Sequence, residues 1–275
     1  MSVRPVVSER TRLLRLLTLT VRLVVPSVVF LAWWLVTRAG AIDPIFLPSP
    51  HDLWEAFQGM RPSLSNAIWT TVTMTLTGFA VGSGIGILSG LLMAYSRVVR
   101  ELFGLVFDFL RPVPVFALIP LFILWFGIGR TPQIALIALG TSVILGVTTI
   151  EAIRNVPPIY IKASLTLGGN RRRVYRTVIL PSIVPHLVGA IRVAAAASWG
   201  LDVAAEFIGS QEGLGYLMIN RQSYLDTAGI MVIVIIYSLL ALALDRIISF
   251  GEGRFLRWTE RRPRTGMVGA LTGAN

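Results

Sequence analysis

An all-α, polytopic membrane protein with about six transmembrane helices is the fold class this sequence predicts, and three observations carry it. The 275 residues are 54% hydrophobic and only 14% charged, against about 25% charged in an average soluble domain. Apolar windows recur along the chain at close to the ~20 residues that cross a bilayer as a helix. The basic residues also gather in alternate connections. With six spans and both termini on one side, 19 of the 25 fall on that side and 4 on the other, which is the bias of cytoplasmic loops.

The same numbers exclude several function classes. A net charge of +11 is compatible with nucleic-acid binding, but basic residues that alternate with membrane spans do not line a groove. There are no cysteines, so neither a disulfide nor a thiolate metal site can form. His51 and His186 are far apart and fall on opposite sides of the expected topology, so no metal site is expected. No Ser-His-Asp or metal-ligand set can be assembled from them. The single lysine, Lys162, precedes Ala163, so the Gly-Lys-Ser/Thr of a phosphate-binding loop is missing. The chain is not expected to be an enzyme or to carry a cofactor. If ATP drives it, another subunit binds the ATP.

Residues 1–22 hold Arg4, Arg10, Arg12, Arg15 and Arg22 around a leucine-rich run and read as a basic segment at the cytoplasmic membrane surface. The first span is 23–37. Ala39-Gly40-Ala41 has the form of a cleavage site, but Trp33-Trp34 and Arg38 suit an uncleaved, interface-anchored helix better. Pro44, Pro48 and Pro50 favour an extended connection, and 51–60 reads as a short amphipathic run. The second span, 67–94, has Gly78, Gly82, Gly86 and Gly90 at every fourth position, a face that lets helix backbones approach closely. After a turn at Arg97–Glu101, the third span (102–128) contains Pro112, Pro114 and Pro120 and must bend or break. Such a break is tolerated at membrane depth where it is buried or lines a wet cavity. Spans four to six are 133–150, 183–208 and 229–250, and a basic tail occupies 251–275. The transmembrane domain is thus expected over 23–250.

The polar stretch 151–182 interrupts this pattern. Within it, Lys162–Pro181 opens as a short helical run and breaks at Gly168-Gly169-Asn170, residues that tolerate positive φ. The helix resumes through 171–177 and is expected to stop at Leu180-Pro181. An ordinary basic loop is the competing reading. The spacing resembles the EAA loop of ABC importer permeases: Ala163, Gly168, Leu180 and Pro181 match, while Lys162, Ser164 and Val178 replace Glu, Ala and Ile. Leu47-Pro-Ser-Pro50, Arg111-Pro-Val-Pro114, Ile119-Pro120, Leu124-Trp-Phe-Gly-Ile-Gly129, Ala205-Glu-Phe-Ile-Gly209 and Gly213-Leu-Gly-Tyr216 resemble the nitrate/taurine/aliphatic-sulfonate branch of that family.

The resemblance implies the MetI-like fold of a type I ABC importer permease in the inner membrane, working by alternating access. It implies ATPase subunits that bind ATP and Mg²⁺, an extracytoplasmic binding protein that delivers a small solute, and a second permease copy, a homodimer in this branch. It also implies that Lys162, Ala163, Ser164, Gly168, Gly169, Leu180 and Pro181 form the ATPase-coupling loop.

Charged groups inside spans are costly and usually face a cavity or the bundle interior. Arg111 lies about nine residues into its span, roughly 14 Å at 1.5 Å per residue, and Arg192 lies at a similar depth. Together with Pro112, Pro114 and Glu206 they are candidates for the path of an anionic substrate. A structural reading competes: Arg111 pairs with Asp108 three residues earlier, and Arg192 is met by another helix. Asp202 and Glu206, one turn apart, either cap and pair locally near the outer end of span five or relay protons in an ion-coupled secondary transporter, the alternative function.

Overall fold

The computed structural model describes residues 9–255, with side chains described over 23–254. Residues 1–8 and 256–275, and with them parts of the expected basic N-terminal segment (1–22) and tail (251–275), lie outside the described residues. The described residues are helical almost throughout, with no strand among them. The chain divides into two compact units, Met1–Ser65 with Leu217–Ile235, and Asn66–Tyr216 with Ile236–Asn275.

The first unit holds α1 (Glu9–Arg38), the start of α2 (Pro50–Tyr95), the end of α9 (Leu214–Ser223) and the start of α10 (Thr227–Phe255). The apolar part of α1 leaves Leu23, Val28, Val29 and Phe30 more than half exposed, as a lipid-facing helix would. Its connection to α2 is held by Trp33, whose Nε1 donates to the Pro48 carbonyl at 3.1 Å. The Leu-Pro-Ser-Pro stretch turns out to be a helix start. The Ser49 N–H donates to Asp52 Oδ2 at 2.7 Å while the Asp52 N–H faces Ser49 Oγ at 3.3 Å, the reciprocal capping box, with Asp in place of Glu. Pro50 then occupies the first helical position, where its missing N–H costs nothing. The amphipathic run 51–60 is not a separate element, because α2 continues through Pro62 for 46 residues. That is about 70 Å at 1.5 Å per residue, roughly twice what the ~30 Å bilayer core requires. At the other end of the unit, Asp226 accepts from the Gly229 N–H (2.8 Å) and from Arg221 (3.2 Å), opening α10.

The second unit holds the later part of α2, then α3 (Arg97–Leu110), α4 (Ile119–Phe126), α5 (Arg130–Arg154), α6 (Pro158–Thr166), α7 (Arg171–Val174), α8 (Leu180–Gly209), the first turn of α9 and most of α10. The four glycines at every fourth position of α2 all face α5. A Cβ on Gly78 would stand 2.7 Å from Ile137 Cβ, one on Gly86 2.5 Å from the Ser142 carbonyl, and one on Gly90 2.6 Å from Thr149 Cβ; at Gly82 it would meet the Ala138 carbonyl. Two of these contacts are backbone, which cannot move aside, so any side chain there separates the helices. α5 also packs on α8. Leu145 meets Ala190 and Ala194, and Ala152 with Val156 meets Ile183 and Leu187.

Among the described residues four helical stretches are long and apolar enough to cross a bilayer: Pro50–Tyr95, Arg130–Arg154, Arg171–Gly209 and Thr227–Arg254. The expected third span is instead two helices that meet at 94°. The chain leaves α3 at Arg111-Pro-Val-Pro114 and re-enters through a 3₁₀ turn, Val115–Leu118, before α4. Pro120 falls in the first turn of α4, not in a helix interior, so the break is complete by 114. The first expected span, 23–37, lies within α1, a 30-residue helix from Glu9 to Arg38. Among the described residues the later five expected spans thus become four full-length apolar helical stretches and one broken pair.

Candidate functional site

The connection between α5 and α8 is built residue by residue from its sequence. Pro158 opens α6 at its first position, where proline's fixed φ suits a helix start. The helix ends in a Schellman motif: the Gly168 N–H donates to the Leu165 carbonyl at 2.9 Å and the Gly169 N–H to the Ser164 carbonyl at 2.9 Å. Gly168 has φ +80, the left-handed conformation that favours glycine. Gly169 is needed for a different reason. Its φ is not positive, but a Cβ there would stand 2.6 Å from the Ser164 carbonyl oxygen. Asn170 then caps α7, accepting the Arg173 N–H at 2.9 Å.

The helix expected to stop at Leu180-Pro181 does not stop. Residues Tyr175–Ile179 form a π turn that runs directly into α8. A proline inside a helix removes one N–H and collides with the carbonyl four residues back. The wider π turn just before Pro181 accommodates both, and the Leu180 N–H reaches back to the Tyr175 carbonyl. The π turn is fastened to the end of α2. Tyr175 donates its hydroxyl to the Leu91 carbonyl at 2.7 Å. Arg171 stacks over the Tyr95 ring, 4.7 Å from its centroid, and donates to the Tyr95 carbonyl, meeting the unsatisfied carbonyls and the dipole of the helix end.

Between α6 and the π turn lies an open groove of about 540 Å³ lined by Tyr160, Ala163, Ser164, Leu167, Arg173 and Thr177, among others. Of the residues singled out for the coupling loop, Ala163, Ser164 and Gly169 line this groove. Lys162 lies exposed on α6, Gly168 forms its cap, and Leu180 and Pro181 start α8. Leu167, Ile159 and Tyr160 are 85%, 64% and 57% exposed, large apolar groups grouped around this short helix.

The charged positions do not converge. Arg192 is met by α10: its Nε and an Nη donate to Asp245 at 2.7 and 2.9 Å, and Glu252 lies 3.5 Å away. A guanidinium held by a bidentate carboxylate with a second acid beside it offers no net positive field, which removes the reason for placing it in a cationic belt. Arg111 pairs with Glu151 at 3.3 Å, not with Asp108, although its own backbone is still helical, with its N–H on the Phe107 carbonyl at 2.9 Å. Glu151 is three residues from the end of α5, so Arg111 sits beside a helix end. The cavity beside it, about 340 Å³, is lined by Arg100, Arg111 and Arg154 and by Glu101, Asp108 and Glu151, a balanced set of charges. Pro112 and Pro114 are exposed at the chain break.

Glu206 is 1% exposed and Asp202 0%. Glu206 accepts from Thr71 Oγ at 2.7 Å, the Gly215 N–H at 2.5 Å and the Tyr237 hydroxyl at 3.2 Å. It therefore caps the start of α9, which is the local capping expected of it, but it also binds two hydroxyls from distant helices. Thr71, Tyr237, Asp245 and Glu151 were not found by sequence reasoning. The available signals were a threonine pair and a tyrosine inside otherwise aliphatic spans, and acids near span ends. Among the described residues one His/Asp/Glu group has metal-compatible spacing, His51, Asp52 and Glu55, but Asp52 is already engaged in capping α2.

Comparison with known proteins places this geometry in a family. Residues 82–256 match the family described as binding-protein-dependent transport system inner membrane component. The taurine transport system permease protein TauC of Escherichia coli K12 is 33% identical over 229 residues, 79% of this chain and 83% of that protein. A putative aliphatic sulfonates transport permease protein, SsuC of the same organism, is 32% identical over 237 residues, 85% and 89% of the two chains. Among solved structures, an inward-facing conformation of the MetNI methionine ABC transporter aligns with TM-score 0.57 at 22% identity over 70% of this chain and 97% of that one. An amino acid ABC transporter aligns with TM-score 0.59 at 18% identity over 69% and 92%. The two structures share the fold, and the sequence relatives carry the assignment: this chain belongs to the binding-protein-dependent transport system inner membrane component family, the permease subunits of ABC importers.

Proposed function

We propose that this permease passes a small organic anion of the taurine or sulfonate class, and that α6 is the element through which ATPase partners drive it. The observation that carries the proposal is α6 itself. It is a nine-residue helix fixed at both ends, by Pro158 and by the Schellman pair Gly168-Gly169. Exposed apolar groups surround it, and after the turn at 167–170 α7 and the π turn run without a break into α8. A push on α6 then reaches a membrane span through one short hydrogen-bonded turn, 167–170, and the unbroken helix that follows it. In this reading ATP and Mg²⁺ are held by the partner subunits. ATP closure carries α6 and turns the spans outward, and hydrolysis resets them.

The anionic cargo is suggested by the names of the relatives TauC and SsuC. Arg192 and Arg111 each have a carboxylate partner, so selection for an anion is assigned to the extracytoplasmic binding protein. The excess of basic residues in alternate connections supports both termini in the cytoplasm, the transmembrane domain over 23–250, and basic segments 1–22 and 251–275 at the inner surface. A second copy of the chain completes the pathway. An ion-coupled mechanism through Asp202 and Glu206 has less support, since both carboxyls are buried and Glu206 is committed to three donors.

The test is Ala163→Pro in proteoliposomes containing the ATPase and the binding protein. Proline inside a helix costs about 3 kcal/mol and should unfold so short an element. Uptake of labelled taurine or an alkyl sulfonate should fall to background, with the spans still folded. Full uptake by this variant would remove α6 from the coupling path.

A further inference from the structure

The Asp202–Glu206 cluster is short of hydrogen-bond donors, and the shortage can be counted. Four carboxylate oxygens are buried in it. Thr71 O–H and the Gly215 N–H go to Glu206, and the Tyr216 N–H is also directed at it. Thr71 Oγ also accepts the Leu214 N–H at 2.9 Å, and its own O–H donates to Glu206 Oε1 at 2.7 Å. Asp202 has only the Tyr237 hydroxyl, 3.4 Å from Oδ2, and that hydroxyl also lies 3.2 Å from Glu206 Oε2. A phenol carries one hydrogen, so it donates to one acid and faces the other with a lone pair. Asp202 Oδ1 has no partner at all. The Thr75 hydroxyl, also fully buried, faces Asp202 without a hydrogen bond of normal geometry.

Among the described residues no cationic side chain relieves this deficit. Among the described residues neither acid takes part in an ion pair, and Arg192 on the same helix is held by Asp245 and Glu252. The groups facing the pair from α2 are Thr71 and Thr75, from α10 Tyr237, and from α9 backbone N–H groups only. Two unpaired like charges one helical turn apart in such a core carry a large desolvation and repulsion cost.

We propose that this cluster is a binding site for one proton, held by Asp202 as a neutral carboxylic acid. The acid's O–H donates to the Tyr237 oxygen, the Tyr237 O–H donates to Glu206 Oε2, and Glu206 stays ionised among its N–H and O–H donors. One proton from solvent enters with the fold, the Asp202 and Tyr237 hydrogens each have an acceptor, and the cluster carries a single negative charge. With Asp202 0%, Glu206 1% and Tyr237 8% exposed, this proton has no open route to solvent. It is a structural proton that ties α2, α8, the start of α9 and α10 together, not one in transit.

The test is infrared spectroscopy of the purified permease in lipid. A protonated-carboxyl carbonyl stretch, downshifted in D₂O and unchanged between about pH 6 and 8, a range where an ordinary aspartate is fully ionised, is the expected signature. It should shift on ¹³C-aspartate labelling but not on ¹³C-glutamate labelling, a readout that needs no variant. Asp202→Asn should abolish the band and keep the melting temperature, because the amide N–H replaces the acid O–H toward Tyr237. The absence of the band in the unmodified protein, or its response to the glutamate label, would overturn the proposal. So would a melting temperature that rises when sodium replaces choline, which would make a metal cation the occupant.

Discussion

Arg192 and Glu206 stand on one helix, 14 positions and so about 21 Å apart, yet α8 stabilises their charges in opposite ways. Arg192 is 36% exposed along its side chain and is met by full opposite charges on α10, Asp245 and Glu252. Glu206 is sealed from solvent and is met by no charge, only by two hydroxyls and by backbone N–H groups at the start of α9. Where solvent or headgroups reach, an ion pair suffices, and its contribution is screened. Where they do not, the donors must be placed in advance by the fold. That makes the buried site far less tolerant of change, since an unsatisfied buried group bears its whole desolvation cost.

The largest expected effect is therefore at the uncharged-donor site. Glu206→Leu strands Thr71 and the Gly215 N–H and should lower stability by about 4 kcal/mol, at about 1–3 kcal/mol for each unsatisfied buried group. Thermal unfolding of the purified protein measures it, and an unchanged midpoint would mean that these donors find water or other acceptors. A smaller loss is expected for Arg192→Leu, which leaves Asp245 and Glu252 facing each other. Folded yield, uptake and ATP hydrolysis should fall together, and the double variant Arg192→Leu/Asp245→Leu should recover part of all three. Loss of uptake alone, with hydrolysis and yield intact, would instead give Arg192 a place in the substrate path. The smallest effect belongs to the exposed pair Arg130–Glu212, 2.7 Å apart with side chains 58% and 52% exposed. Arg130→Ala should cost roughly 0.5 kcal/mol or less, and raising the salt concentration should erase even that.

The resemblance to the EAA loop shows how far a local pattern reaches. Gly168-Gly169-Asn170 marked the end of α6 correctly, yet the two glycines serve different needs. One supplies a left-handed φ, and the other keeps clear of the Ser164 carbonyl. Leu180-Pro181 looked like a helix stop because proline usually is one. Here a π turn absorbs the proline and the helix runs on, an outcome favoured by the contacts of Tyr175 and Arg171 with the end of α2.

By itself the sequence determined the apolar segments, the glycine face of α2, the break at Arg111-Pro-Val-Pro114 and the isolation of α6. Each of these follows from neighbouring residues, through hydrophobic run length, four-residue spacing, or the φ limits of proline and glycine. Only the tertiary structure decided which groups neutralise the charges. Arg192 and Asp245 are 53 positions apart, Tyr237 and Glu206 31, and Thr71 and Glu206 135. Arg111 is paired with Glu151 of α5, 40 positions away, and not with its helical neighbour Asp108. No local pattern encodes such pairs, because a polar side chain can be satisfied by many partners, and packing of the apolar faces decides which one is brought within reach.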